Sequence, residues 1–166
     1  PEFAEYAMGD PLGSGGYYVL AIGFASIVIT PMGGKVIDKV GPKPVLLTGL
    51  SISIAGLLFL ALAATAAPSV FTLVAGLFVV GIGMGLAMGA PTNYMILQNT
   101  DPKDSTSAIA TITLIRQIGT SLAPAIFVGL IAASPGMDGY RNMLLAVALF
   151  NAFALITMLF YRPRTA

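Results

Sequence analysis

A single arginine, Arg116, lies inside a long apolar stretch of the sequence. It follows Ser105 by eleven residues, which is about 16 Å along an α-helix. If this stretch crosses a membrane, the arginine lies deep inside it, where an arginine costs at least about 2.5 kcal/mol. Its guanidinium should therefore face a water-filled pathway. The alternative is that the side chain reaches back to the membrane surface or ties down another helix.

Polar residues accompany this arginine on one face of the predicted helix, at helical spacing. They are Thr106, Thr113, Gln117 and Thr120. With Arg116 they are predicted to line or stabilise the same pathway. In the last apolar stretch, Asn151 is predicted to make an interhelical hydrogen bond.

A second candidate site is a dense patch of charge in a Gly/Pro turn, formed by Gly34, Asp38, Lys39, Gly41 and Lys43. Gly34 would let two helices approach closely, and Gly41 permits a turn that a Cβ would resist. Asp38 could accept hydrogen bonds from a nearby helix N-terminus, where the helix dipole favours an anion. The plainer interpretation is a positively charged turn that only fixes the topology.

The composition indicates an integral membrane protein. The chain is 57% hydrophobic and 9% charged, with a mean hydropathy of +0.90, whereas a soluble domain is about 25% charged. The absence of cysteine and histidine excludes disulfides, most zinc sites and every His-based triad. Every lysine is predicted in a loop or in the cytoplasmic extension of the first span, past Gly34, which argues against an intramembrane Ser–Lys enzyme. We therefore predict neither enzymatic activity nor a cofactor, and the net charge of +1 gives no sign of nucleic-acid binding.

Five segments are long enough to cross a bilayer, which takes about 20 apolar residues. The predicted spans are residues 16–39, 44–67, 71–98, 105–133 and 140–161 of one bundle at 16–161, preceded by an external loop at 1–15 and followed by a tail at 162–166. Six lysines and arginines flank the side that carries the charged turn, and only Arg141 flanks the other. By the positive-inside rule, the turn and the C-terminus are expected in the cytoplasm.

The third span is rich in glycine. Gly81, Gly85 and Gly89 are spaced by four residues and share one helix face, which is typical of membrane helices that touch backbone to backbone. The pattern fits static close packing, and it also fits a surface that slides or bends as the protein changes state.

The charged turn resembles the loop signature of the major facilitator superfamily of transporters. That signature reads Gly, three residues, Asp, a basic residue, one residue, Gly and then basic residues, and only Pro42 departs from it. The glycine-rich run, Pro91-x-Asn93 and the run at 116–122 resemble spans of the fourteen-span drug–proton antiporters. These motifs follow one another in the same order as in those transporters, and together they extend over nearly the whole chain.

The resemblance implies an all-α membrane protein with five of the six helices of a C-terminal bundle, whose partner is an N-terminal bundle of the same transporter. It further implies proton-coupled efflux of drugs or other small molecules by alternating access, as a multi-pass protein of the plasma (inner) membrane. The charged turn would then help to lock the cytoplasmic side. Further candidate residues of the substrate cavity are Met84, Met88, Asn93 and Tyr94.

Two alternatives remain open at the level of the sequence. One is a transporter of the same fold that carries an organic anion, with Arg116 as the partner of the anion. The other is a membrane scaffold without transport activity. None of the seven carboxylates is predicted inside the membrane, because Asp38 lies in the cytoplasmic extension of the first span, past Gly34, and the others lie outside the spans. A residue that carries a proton would therefore have to lie in another part of the transporter.

Overall fold

The computed structural model describes residues 5, 6, 8, 9, 11, 15–88, 90–134 and 136–162. Within this part of the chain there are helices and no strand. Five helical stretches are long and apolar enough to cross a membrane, which confirms the predicted fold class. The helices are α1 (Gly15–Val40), α2 (Pro42–Phe59, continued by a π-helical segment at Leu60–Ala64), α3 (Val70–Ala87), α4 (Ala90–Gln98), α5 (Ser105–Ala132) and α6 (Met137–Phe160).

Helix α3 lies at the centre and packs against α1 on one side and α2 on the other. Its glycines allow the backbones to touch. A Cβ built on Gly83 would overlap the backbone nitrogen of Ser53 and lie 2.7 Å from the carbonyl oxygen of Gly49. A Cβ on Gly81 would lie 2.6 Å from the carbonyl oxygen of Ile22. No side chain fits at either position, so glycine is what permits the approach.

A hydroxyl group of α1 joins it to the glycine face of α3, since the Ser26 Oγ donates to the carbonyl oxygen of Gly81 at 2.9 Å. The Thr30 hydroxyl donates within α1 to the Ser26 carbonyl oxygen at 2.7 Å, and its Oγ1 lies 3.4 Å from the carbonyl oxygen of Gly85. Gly85 also lies against Ser26, since a Cβ on it would come within 3.1 Å of the Ser26 Cα. Hydroxyls of this kind commonly join helices inside membranes. Gly89, the third glycine of the predicted face, lies outside the described residues.

The third predicted span is divided into α3 and α4 by a turn at Met88. Pro91 lies in the first turn of α4 and has no N–H, so the usual helical partner of the Ala87 carbonyl is missing. The Thr92 hydroxyl replaces it and donates to the Ala87 carbonyl oxygen at 3.0 Å. The chain therefore changes from α3 to α4 without leaving this carbonyl unsatisfied.

Helix α5 is held much more loosely than the others. None of its residues is buried, and it packs against α6 and α4. Helix α6, by contrast, contributes Leu144 and Ala148 to the main apolar cluster, where they join Leu57, Leu60 and Leu73 from α2 and α3. Room is therefore left between α5 and the α2–α3 pair.

We expect a Gly83→Ala substitution to destabilise the bundle by about 1–3 kcal/mol, because the added methyl group would overlap backbone atoms of α2. Gly23→Ala is the matched control, since Gly23 is also helical and nothing lies within 4 Å of a Cβ built on it. Both changes raise helix propensity equally. Thermal unfolding of the two purified variants measures the difference. Equal stability would contradict the close α2–α3 contact.

Candidate functional site

A cavity of about 730 Å³ lies between α2, α3, α5 and α6. Its walls are mostly apolar, with Leu50 and Leu57 from α2, Val80 from α3, Phe127 from α5 and Val147 from α6. Ligand-binding cavities commonly measure about 300–1,000 Å³ and combine apolar walls with a few polar groups. The volume and the lining therefore fit a small-molecule site.

Four polar side chains line this cavity: Ser53, Arg116, Thr120 and Asn151. The Thr120 hydroxyl donates to the carbonyl oxygen of Arg116. The Asn151 Nδ2 donates to the Val147 carbonyl oxygen at 2.9 Å, so its amide is bonded within α6. The prediction of an interhelical bond from Asn151 is therefore wrong within the described chain, and its Oδ1 stays available as an acceptor.

Arg116 is half-buried as a residue, and its guanidinium has no partner within the described residues. The ion pair that the described chain does contain joins Arg141 to Asp138 at 3.3 Å, on the surface. The described carboxylates lie at helix ends or in turns, away from the cavity lining. The cavity therefore carries one positive charge and, in the part of the chain described, no anion to balance it.

Ser53 is the buried polar side chain of the described chain, with 4% of its surface exposed. Hydroxyls in membrane helices usually donate to the carbonyl one turn earlier, as Ser51 does to Leu47 at 2.9 Å. Ser53 makes no such bond to Gly49, nor to any other described residue. Its hydroxyl is therefore a free hydrogen-bonding group in the wall of the cavity.

Ser53 and Arg116 line the same cavity and occupy equivalent positions along their helices. Ser53 follows Pro42, the first residue of α2, by eleven residues, and Arg116 follows Ser105, the first residue of α5, by the same number. Both are therefore about 16 Å along helices that start from the same end of the bundle. Ser53 was not singled out as a site residue from the sequence, but its position, eleven residues from the start of its helix as for Arg116, is a signal that could have found it.

The cavity contains some of the residues predicted for the pathway and leaves others outside. Arg116, Thr120, Met84 and Met88 line it. Gln117, Thr113, Asn93 and Tyr94 are exposed and do not. On α5 the lining residues are Arg116, Gly119, Thr120, Ala123 and Phe127, so the cavity face of this helix is rotated away from the predicted polar face.

At the charged turn, Gly41 has φ +83°, a conformation that glycine adopts at little cost. The expected close helix contact at Gly34 is wrong within the described chain, because nothing lies within 4 Å of a Cβ built there. Gly33 makes that contact instead, since a Cβ built on it would lie 3.3 Å from the Leu86 Cδ2. Asp38 and Lys39 are exposed and make no ion pair or hydrogen bond with the described residues.

Lys43 holds the end of the last helix. Its ammonium group donates to the carbonyl oxygens of Leu159 at 3.1 Å and Tyr161 at 2.5 Å. These are the last carbonyls of α6, where a helix lacks N–H partners and where its dipole favours a cation. The lysine thus joins the start of α2 to the end of α6 within one bundle.

Tyr161 extends this contact to α4. The Asn99 Nδ2 donates to the Tyr161 hydroxyl at 2.7 Å and to the Met95 carbonyl oxygen at 2.8 Å. Beneath it, Met95 packs with Leu46 and Ala87 in a small buried cluster. We call Lys43, Asn99 and Tyr161 the clasp. It ties three helix ends together on the side of the charged turn.

Residues 4–166 match the Major Facilitator Superfamily, and the chain belongs to this family. An uncharacterised MFS-type transporter of Bacillus subtilis (strain 168), YfiU, is 35% identical over 134 residues, which make up 80% of this chain and 25% of the relative. A protein named multidrug resistance protein B homolog, from Mycobacterium tuberculosis, is 25% identical over 127 residues, 76% of this chain and 23% of its own.

The chain therefore spans about a quarter of the length of these curated relatives. No solved structure is significantly similar to it.

A Lys43→Met substitution should loosen the end of α6 by about 1 kcal/mol, because the last carbonyls lose a charged donor while the apolar stem is kept. Lys39→Met is the control, since Lys39 is exposed and contacts no described partner. Hydrogen exchange of the amides at 155–161 should rise in the first variant only. Unchanged exchange in Lys43→Met would rule out the clasp.

Proposed function

We propose that the whole protein is a secondary active transporter that exports drugs or other small molecules by alternating access, driven by protons. The observation that carries the proposal is a mostly apolar cavity of about 730 Å³, lined by membrane-spanning helices and by an arginine without a described partner. An intramembrane charge marks a substrate or ion pathway in many transporters. Membership of a transporter family and a relative named for multidrug resistance support the same proposal.

The chain is proposed to work together with a second, N-terminal bundle of the same transporter, because the part of its relative that it matches makes up only 25% of that relative's length. Transporters of this family rock two such bundles around a site near the middle of the membrane. Protons need an ionisable carrier, and none of the described carboxylates lies in the cavity lining. The carrier is therefore proposed to lie in the other bundle.

The second candidate function is transport of an organic anion by the same fold. The specific observation in its favour is that the Arg116 guanidinium lines the cavity without a described counter-ion. A scaffold without transport activity would need no cavity of this size, and no feature of the described residues favours it.

The transport proposal is tested with the full-length protein in inside-out membrane vesicles. We expect at least one apolar fluorescent compound to accumulate when a proton gradient is imposed, and to stop when a protonophore collapses the gradient. Vesicles without the protein provide the baseline. Transport that survives the protonophore would contradict proton coupling, and a failure to move any compound of a broad panel would contradict transport.

The plasma membrane is the proposed location, with the charged turn and the C-terminus in the cytoplasm. This chain has no cysteine, so Lys39→Cys and Arg141→Cys each add one cysteine to it, and the labelling of the unsubstituted full-length protein is the baseline. A membrane-impermeant maleimide added to intact cells should label the Arg141→Cys variant and leave the Lys39→Cys variant unlabelled. Labelling at position 39 and protection at position 141 would contradict the proposed topology.

A further inference from the structure

We propose that the cavity binds an amphipathic organic anion, whose acid group lies between the Arg116 guanidinium and the Ser53 hydroxyl. This inference rests on the proposed function, because it takes the cavity as the place where substrate binds. It adds the class of the ligand and a second recognition residue, Ser53, which neither the sequence motifs nor the family resemblance pointed to.

The charge of the cavity sets the charge of the ligand. Arg116 supplies one positive charge, and no described carboxylate lies in the lining. Leaving a guanidinium unpaired in apolar surroundings is costly, and a carboxylate or sulfonate that pairs with it in the bidentate mode removes that cost. A cationic compound would be repelled, and a neutral one would leave the charge unpaired.

Ser53 supplies the second contact. Its hydroxyl is buried and has no hydrogen-bond partner among the described residues. An unmade hydrogen bond in a buried group costs free energy, and an acid group bound in the cavity that Ser53 and Arg116 both line would accept that bond. In the proposed arrangement, the guanidinium from α5 binds one oxygen of the acid group and the hydroxyl from α2 binds the other.

The rest of the lining suits an apolar body. Leu57, Val80 and Phe127 form continuous apolar walls around the polar groups. Met84 and Met88 add flexible, polarizable surface that can adapt to different ring systems and chains. One cation with mainly apolar walls therefore favours a monoanion with a large apolar part over a small, highly charged metabolite.

The competing occupant of Arg116 is a carboxylate from another part of the longer protein. In that arrangement the guanidinium is already paired in the whole transporter, and an added anion gains nothing from it. The two occupants give opposite results in a binding experiment on the full-length protein.

The experiment measures binding of 1-pyrenebutyrate and of its uncharged counterpart, 1-pyrenebutanol, to the full-length transporter in lipid nanodiscs, with empty nanodiscs subtracted. We expect the acid to bind saturably and about tenfold or more tightly than the alcohol, as for a charge-assisted hydrogen bond. Equal affinity for the two in the wild-type protein would overturn the proposal, and this comparison requires no variant.

Variants then assign the preference to the two residues. Arg116→Gln should abolish the preference for the acid, and Ser53→Ala should reduce affinity for the acid several-fold while leaving the alcohol unchanged. Arg141→Gln is the control, because Arg141 is a surface arginine paired with Asp138. A preference that persists in Arg116→Gln, with thermal unfolding unchanged, would also overturn the proposal.

Transport measurements separate this inference from the function on which it rests. If the protein transports several compounds in response to protons but the wild-type protein binds the acid and the alcohol equally, the transport proposal is supported and the anion site is contradicted. If the acid is preferred through Arg116 but no compound is transported, the binding site is supported and the transport proposal is contradicted.

Discussion

The contact of helix backbones along α3 is the constraint on which the rest of the bundle depends. In a membrane, apolar side chains gain little by leaving lipid for protein, so helices associate through close packing and hydrogen bonds. Glycine supplies the closest packing available. Gly81 places α3 against the backbone of α1, and Gly83 places its other face against α2 at Gly49 and Ser53. Helices α1, α2 and α3 form one tightly packed unit as a result.

This unit explains where the cavity lies. Helix α5 has no buried residue and shares no comparable backbone contact with α2 or α3. The space between α5 and the packed unit is therefore wide enough to remain open. Val80 and Met84 of α3 face this space, while Gly81 and Gly83 face the neighbouring helices. Helix α3 thus makes the closest backbone contacts of the described bundle and also forms one wall of the cavity.

The polar groups of the bundle fall into two layers with different roles. At the end with the charged turn, Lys43, Asn99 and Tyr161 satisfy exposed backbone and side-chain groups and join helix ends. At mid-depth, Ser53 and Arg116 have no described partners. A fully satisfied layer holds the structure together, whereas an unsatisfied one has free energy to gain from a ligand. The contrast between the two layers is the physical basis for placing binding in the middle of the bundle.

The sequence by itself determined the class of the protein and its helices, because long apolar runs with few charges have no stable alternative to membrane helices. It also singled out Arg116, since a charge inside such a run is anomalous whatever the fold. It could not determine which residues surround that arginine, because a helical periodicity fixes a face but not the neighbour that the face meets. The rotation of α5 excluded Gln117 and Thr113 from the cavity.

The neighbours of three other residues could not be predicted from the sequence either: Ser53, Lys43 and Gly33. Their roles arise from contacts with α3, α6 and other parts of the chain that are distant in sequence. Only the tertiary structure decided those contacts. Backbone approach at the glycines sets the spacing and rotation of the helices, and that geometry decides which hydroxyl is left unbonded and which lysine reaches a helix end.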